Sequence, residues 1–150
     1  NVLPNERYPA WLTKVELAVE KAHRRGAYRP VAVAIIEDAE KRTLFVQSAK
    51  NASEWYLPQG GIEQREGIRR ALARELKEGL GITEEQLQLL GYFGWEDLDA
   101  EPTRDDRRGY AKGKRYFFFV LRYSGPAQLL LRTANFGATS GLGEGKFPLS

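Results

Sequence analysis

The chain has no cysteine and a single histidine, His23. Without thiols there is no disulfide framework, no thiolate zinc site and no cysteine nucleophile. One imidazole rules out a histidine cluster and leaves little room for a Ser-His-Asp arrangement. Long apolar runs are also missing. Val31 to Ile36 is among the longest, far short of the roughly 20 residues that cross a bilayer. No basic, apolar, small-residue leader opens the sequence, so a cytoplasmic protein without membrane association is expected. Neither sign of charge dominates: 23 basic residues stand against 20 acidic ones, for a net charge of +3. That balance permits a phosphate-bearing partner without demanding one. Carboxylates, Lys, Arg and the backbone are left to carry any chemistry, an inventory suited to oxygen-liganded cations such as Mg²⁺, Mn²⁺ or Ca²⁺ and to anionic substrates.

What is present amounts to one domain. The 150 residues, 42% of them apolar, can bury about two-thirds of the unfolded surface around one core. After Pro9, "AWLTKVELAVEKAHRRG" sets Leu12, Val15, Val19 and Ala22 at helical spacing and stops at Gly26, which predicts an amphipathic helix over about 9–25. His23 is read as a partly exposed residue of that helix. "RPVAVAII", "TLFVQ", "LQLLGYFGW", "KRYFFFVLRY" and "AQLLLR" read as strands. A strongly periodic helix lies between the second and third of these, giving an α/β domain with helices packed on a sheet. The core is expected over about 29–132 and a flexible tail over 133–150. The charged segment from Glu96 to Lys114 is expected to be mobile. "GLGEGK" in the tail is no phosphate-cradling loop, because Ser140 and Phe147 stand where Gly and Ser/Thr are needed.

The chemistry concentrates in "LPQGGIEQREGIRRALARELKEGLGI", Leu57 to Ile82. Wound at about 100° per residue from Gly67 to Gly79, it forms an apolar stripe of Ile68, Ala71, Leu72 and Leu76. Arg70, Arg74 and Lys77 lie on the outer face. Glu75 falls on the buried side and Glu78 at the stripe's edge. An ionised carboxylate on a core-facing stripe is costly unless a cation offsets it, and an arginine or a divalent metal would each serve. Gly60 and Gly61 let the backbone come close enough to lend a carbonyl. Geometry alone weighs a metal site and an ordinary amphipathic helix evenly.

The spacing Gly60, Glu66, Arg74-Glu75-Leu76, Glu78, Gly81-Ile82 resembles the Nudix box, G-x5-E-x7-R-E-U-x-E-E-x-G-U with U aliphatic, at every specified position but one. The resemblance extends over about residues 29–132. It implies an α/β/α sandwich with a mixed sheet that hydrolyses a diphosphate linked to another group, using Mg²⁺ or Mn²⁺. The helix after Pro9 is expected to cover the face that a C-terminal helix covers in the family. Carried over, Glu75 and Glu78 become metal ligands, Gly60 a carbonyl ligand, Arg74 the residue that positions the carboxylates and Glu66 a stabiliser of the loop. The exception is Gly79, which occupies the place of a glutamate that usually binds metal. Glu96 and Asp97 are candidate substitutes for it, and a non-catalytic domain that binds a phosphorylated ligand is the alternative.

"AYRPVAVAII" and "EWYLPQGGIE" are similar, more narrowly, to bacterial RNA pyrophosphohydrolases and dinucleoside polyphosphate hydrolases. That similarity assigns Arg29 to substrate phosphates and implies a nucleotide or an RNA 5′ end as substrate. An arginine pair of that subgroup is replaced here by Ser48 and Ala49, with Lys50 nearby as a substitute contact. "LLGYFGWED", a basic loop and "KGKRYFFFVL" also resemble diphosphoinositol polyphosphate hydrolases. Arg104, Arg107, Arg108, Lys112, Lys114 and Arg115 suit the phosphates of any polyphosphate, and for a nucleotide substrate Tyr110 or Trp95 is the choice for stacking the base. A homodimer is the oligomer the family suggests.

Overall fold

The computed structural model describes residues 8–48, 50–100, 110–126 and 134–137. Helix α1 is Ala10–Arg25. Strands β1 (Tyr28–Glu37), β2 (Thr43–Gln47), β3 (Trp55–Tyr56) and β4 (Gln59–Gly61) precede helix α2 (Ile68–Leu80), and β5 (Leu87–Asp99), β6 (Gly113–Tyr123) and β7 (Ala134–Gly137) follow it. One mixed sheet runs β3-β2-β1-β6-β5. At its centre β1 and β6 are parallel in continuous register, from Tyr28↔Gly113 to Glu37↔Arg122. The other pairings are antiparallel.

The apolar run of β1 is central, as its lack of a polar face requires. Its alternate residues feed two cores. Ala32, Ala34 and Ile36 join Phe117, Phe119 and Leu121 under both helices, whose Leu12, Val15, Val19, Ile68, Ala71, Leu72 and Leu76 belong to the same cluster. Val31, Val33 and Ile35 face the other way, onto Leu57, Tyr116 and Phe118. The N-terminal helix therefore shares a face with the box helix and does not cover the opposite one as expected. Its stripe and that of α2 are complementary across the same row of β1 and β6 side chains, and burying both there removes the most apolar surface from water.

The structure departs from two other expectations and adds a strand that was not among them. Glu96 to Asp99 extend β5 and pair with β6, so only residues 101–109 of the supposed mobile segment lie outside the described residues. The strand expected over "AQLLLR" also lies outside them, apart from its neighbour β7. That strand occupies 134–137, inside the supposed tail, and pairs with β2. Finally, β4 is a strand that its glycines conceal. It takes the same edge of β1 that β2 uses, pairing through Val31↔Gly61, Ala32↔Gly60 and Val33↔Gln59 before β2 takes over at Glu37↔Thr43.

The β1–β2 turn is fixed by Asp38, whose carboxylate accepts from the backbone N–H of Glu40 and Arg42 and from Arg42 Nε at 2.8–3.0 Å. Burial pushes this carboxyl up, but those donors outweigh burial and hold it below the usual range. Its stabilisation is thus complete above the ordinary carboxylate pKa and is lost as pH falls through the lowered folded value. Asp38→Asn should cost about 1–3 kcal/mol at neutral pH and flatten the acid limb of a urea-melt pH series. Phe117→Ala, in a fully buried position, should cost about 3–5 kcal/mol in the same assay.

Candidate functional site

Arg74 leaves the middle of α2 and gathers the glycine loop around it. Its Nε donates to Glu66 Oε2 at 2.8 Å, its Nη2 to Glu66 Oε1 at 2.8 Å and to the Gly61 carbonyl at 2.9 Å, and its Nη1 to Glu75 Oε1 at 2.7 Å. Glu78 Oε1 lies 3.7 Å from that same Nη1. The fork against Glu66 is bidentate, the strong geometry for a guanidinium and a carboxylate. Glu66, its side chain only 10% exposed, is held below the usual carboxylate range first by this Arg74 pairing, against the upward push of burial. Glu66 also accepts the Glu63 backbone N–H at 3.0 Å, which ties the loop to the helix. Gly81 ends α2 in the left-handed conformation at φ 69°, the backbone that favours glycine at a helix stop.

The two adjacent glycines of β4 each admit a side chain from another element. A Cβ on Gly60 would lie 2.0 Å from Glu75 Cδ, and one on Gly61 would lie 2.4 Å from Arg29 Nη2. Successive residues of a strand face opposite sides, so the Glu75 carboxylate and the Arg29 guanidinium flank one short strand from its two faces. The Glu75 side chain is 28% exposed and that of Glu78 63%.

Glu75 opens into a cavity of about 370 Å³ whose walls include Gln59, Gly79, Lys114 and Tyr116. Larger cavities of about 530 and 510 Å³ lie elsewhere, but neither is lined by Arg74, Glu75 or Glu78. A Cβ at Gly79 would meet nothing within 4 Å, so the position beside Glu75 that lacks a carboxylate has room for one.

The donors suit a hard cation. Two carboxylates that share one guanidinium nitrogen, with the Gly60 backbone against one of them, are oxygen ligands of the kind Mg²⁺ takes, since it commonly uses one or two carboxylates and completes its shell with water and phosphate. Among the described residues no three acidic or histidine side chains form a ready cluster, which agrees with the gap at Gly79.

The structure separates the remaining candidates. Arg29 lies beyond Gly61, in a cavity of about 330 Å³ with His23, Ile62, Glu63, Gln64 and Tyr110. Tyr110 is 4% exposed and its hydroxyl is hydrogen-bonded to His23 Nδ1, so no ring face is left free to stack a base. Burial of His23 lowers the pKa of its imidazole. Asp97 is not among the residues lining the Glu75 cavity, and Arg115 Nε and Nη2 donate to its two oxygens at 2.6 and 2.9 Å. The same ion pair consumes Arg115, whose guanidinium also stacks 4.1 Å from the Trp95 ring. Glu96 is exposed, cross-strand from Tyr116, and is not among the residues lining the cavity. Lys50 sits in the exposed turn between β2 and β3, also apart from the cavity. Arg104, Arg107 and Arg108 lie outside the described residues.

Among the basic candidates, strand alternation separates Lys114 from Arg115. In β6, Lys114 and Tyr116 share the cavity side and Arg115 turns to the other. Among the described residues, Lys114 has no ion-pair partner.

The NUDIX domain family matches residues 27–136. Over 69 residues the chain is 35% identical to an RNA pyrophosphohydrolase of Teredinibacter turnerae, an alignment covering 45% of this chain and 40% of that protein. The chain thus spans well under half of that relative's length. Among solved structures, the Ap4A hydrolase of C. elegans superposes with a TM-score of 0.56 at 23% identity, over 77% of this chain and 83% of that one. The E. coli dihydroneopterin triphosphate pyrophosphohydrolase gives 0.59 at 21%, over 77% and 85%. A MutT protein from Methanosarcina mazei gives 0.57 at 19%, over 81% and 86%. At these identities the structural likeness is one of fold. The family match takes in β1 to β6 and the whole of the Arg74 cluster and leaves out α1, and on that span the chain belongs to the Nudix domain family.

Proposed function

We propose that this chain hydrolyses a diphosphate linkage in a nucleoside or dinucleoside polyphosphate, or at an RNA 5′ end, with Mg²⁺ or Mn²⁺ held by Glu75 and Glu78. The observation that carries this reading is the placement of Glu75 over Gly60, fixed by Arg74 and open to a cavity that also holds Lys114. A bound divalent ion would polarise a phosphoryl oxygen and lower the pKa of water beside it. The chain's own residues do the rest. Arg74 holds the Glu75 carboxylate in one orientation, so ligand geometry is set before substrate arrives. Lys114 brings a point charge to phosphate oxygens in the same cavity. Arg29, on the other side of β4, offers a guanidinium fork to a phosphate farther along the substrate.

A second reading, binding of a phosphorylated ligand without turnover, is favoured by Gly79, since fewer anionic ligands weaken a site for a hard cation. A panel of nucleoside polyphosphates, dinucleoside polyphosphates and 5′-triphosphorylated RNA, assayed with Mg²⁺ and with Mn²⁺ for released phosphate and pyrophosphate, separates the two. Turnover of order 1 s⁻¹ or more establishes the enzyme, whereas binding without release establishes the alternative.

Two outcomes are expected from variants. Glu75→Gln, like excess chelator, should lower kcat by about a hundredfold or more; activity that survives either treatment refutes the metal reading. Gly79→Glu, which the open space at that position accommodates, should fold normally and tighten Mn²⁺ binding by about tenfold, measured by calorimetry.

A further inference from the structure

Helix α2 begins badly by its own sequence. Its N-cap is Gly67, which has no side chain to accept the free N–H groups of the first turn, and no acidic residue lies in that turn. Arg69 and Arg70 stand there instead, two positive charges at the positive end of the helix dipole. Helices that start this way lose both the cap and the favourable end charge. This helix carries Arg74, Glu75 and Glu78, so its setting decides where those groups lie.

The missing acceptor comes from α1. Glu16 Oε2 accepts the backbone N–H of Ile68, the first residue of α2, at 3.2 Å. A Cβ on Gly67 would approach that same oxygen to 3.3 Å, so the carboxylate sits directly over the helix start. The other oxygen, Oε1, accepts the hydroxyl of Tyr8. The Tyr8 ring in turn carries the Arg69 guanidinium 4.4 Å from its centroid. Burial, and then the hydrogen bond to Glu16, push the Tyr8 phenol up to about 12, so it remains a donor across the working pH range. Carboxylate, phenol and guanidinium thus form one chain of contacts from α1 to the first turn of α2. Glu16 and Tyr8 both precede the residues that match the family.

We propose that Glu16 is a positioning residue of the box: from a helix outside the family's own span it supplies the cap and the negative end charge that α2 lacks, and so sets the axial position of Glu75 and Glu78. Tyr8 orients the Glu16 carboxylate and covers Arg69. The inference rests on the box being a metal site, as proposed above.

The test uses the full chain, with Mn²⁺ as the probe. Affinity is measured by calorimetry at a temperature where each variant is fully folded, alongside hydrogen exchange of the Ile68 amide. Glu16→Ala should weaken Mn²⁺ binding by about tenfold, as loss of a group that orients metal ligands does, and the Ile68 amide should exchange faster. Glu16→Gln, which keeps an acceptor oxygen, should recover most of both. A cap that only stabilises the fold would lower Tm and leave the Mn²⁺ affinity of the folded protein unchanged, and that result overturns the proposal, as does a Glu16→Gln variant no better than Glu16→Ala. If the unsubstituted protein binds no Mn²⁺, the metal reading of the box falls first. The exchange rate of Ile68 in Glu16→Ala then decides separately whether Glu16 caps the helix.

Discussion

The Arg74 guanidinium is the constraint on which the site depends. It is one planar group with donors in fixed directions, and it satisfies Glu66 on the loop, the Gly61 carbonyl on β4 and Glu75 on its own helix. Three elements that share no continuous hydrogen-bond ladder are thereby held at one point. The charges also balance locally: a half-buried cation offsets the half-buried carboxylate that the helical wheel places on the core side of α2. A lysine would hold the same charge without the fork that specifies the geometry.

The sheet provides the frame into which this cluster fits. β4 is short and glycine-rich because it is approached from both faces, by Glu75 at Gly60 and by Arg29 at Gly61. A side chain at either position would displace one of those groups. The strand therefore gives up side-chain packing of its own, and its backbone is held by the ladder to β1. The two cores on either side of β1 then fix that strand in place.

Much of this was legible in the sequence. The apolar run of β1, the periodicities of α1 and α2 and the box spacing fixed the element types and named Arg74, Glu75, Glu66 and Gly60, because those signals are local. What was not legible depended on tertiary placement. Nothing local says that Asp97 and Arg115 face each other across β5 and β6 and neutralise one another, or that Tyr110 is buried against His23. The side on which α1 packs is not legible either, because an amphipathic stripe says that a face is covered but not which sheet face covers it. Neighbours on a strand point to opposite sides, so the sequence says that Lys114 and Arg115 part, but not which of them meets the cavity.

The parallel pairing of β1 with β6 bears on how the site comes into being. The two strands that form the middle of the sheet lie near opposite ends of the described chain, and all of the box lies in the loop between them. A parallel pair has no hairpin to bring it together, so the closure entropy of that long loop must be met before any of its contacts form. During synthesis the box helix emerges well before β6 and has neither Phe117 nor Phe119 to bury its apolar stripe. Until β6 arrives, that stripe has the side chains of α1 and β1 to pack against but only part of the core that covers it in the folded protein.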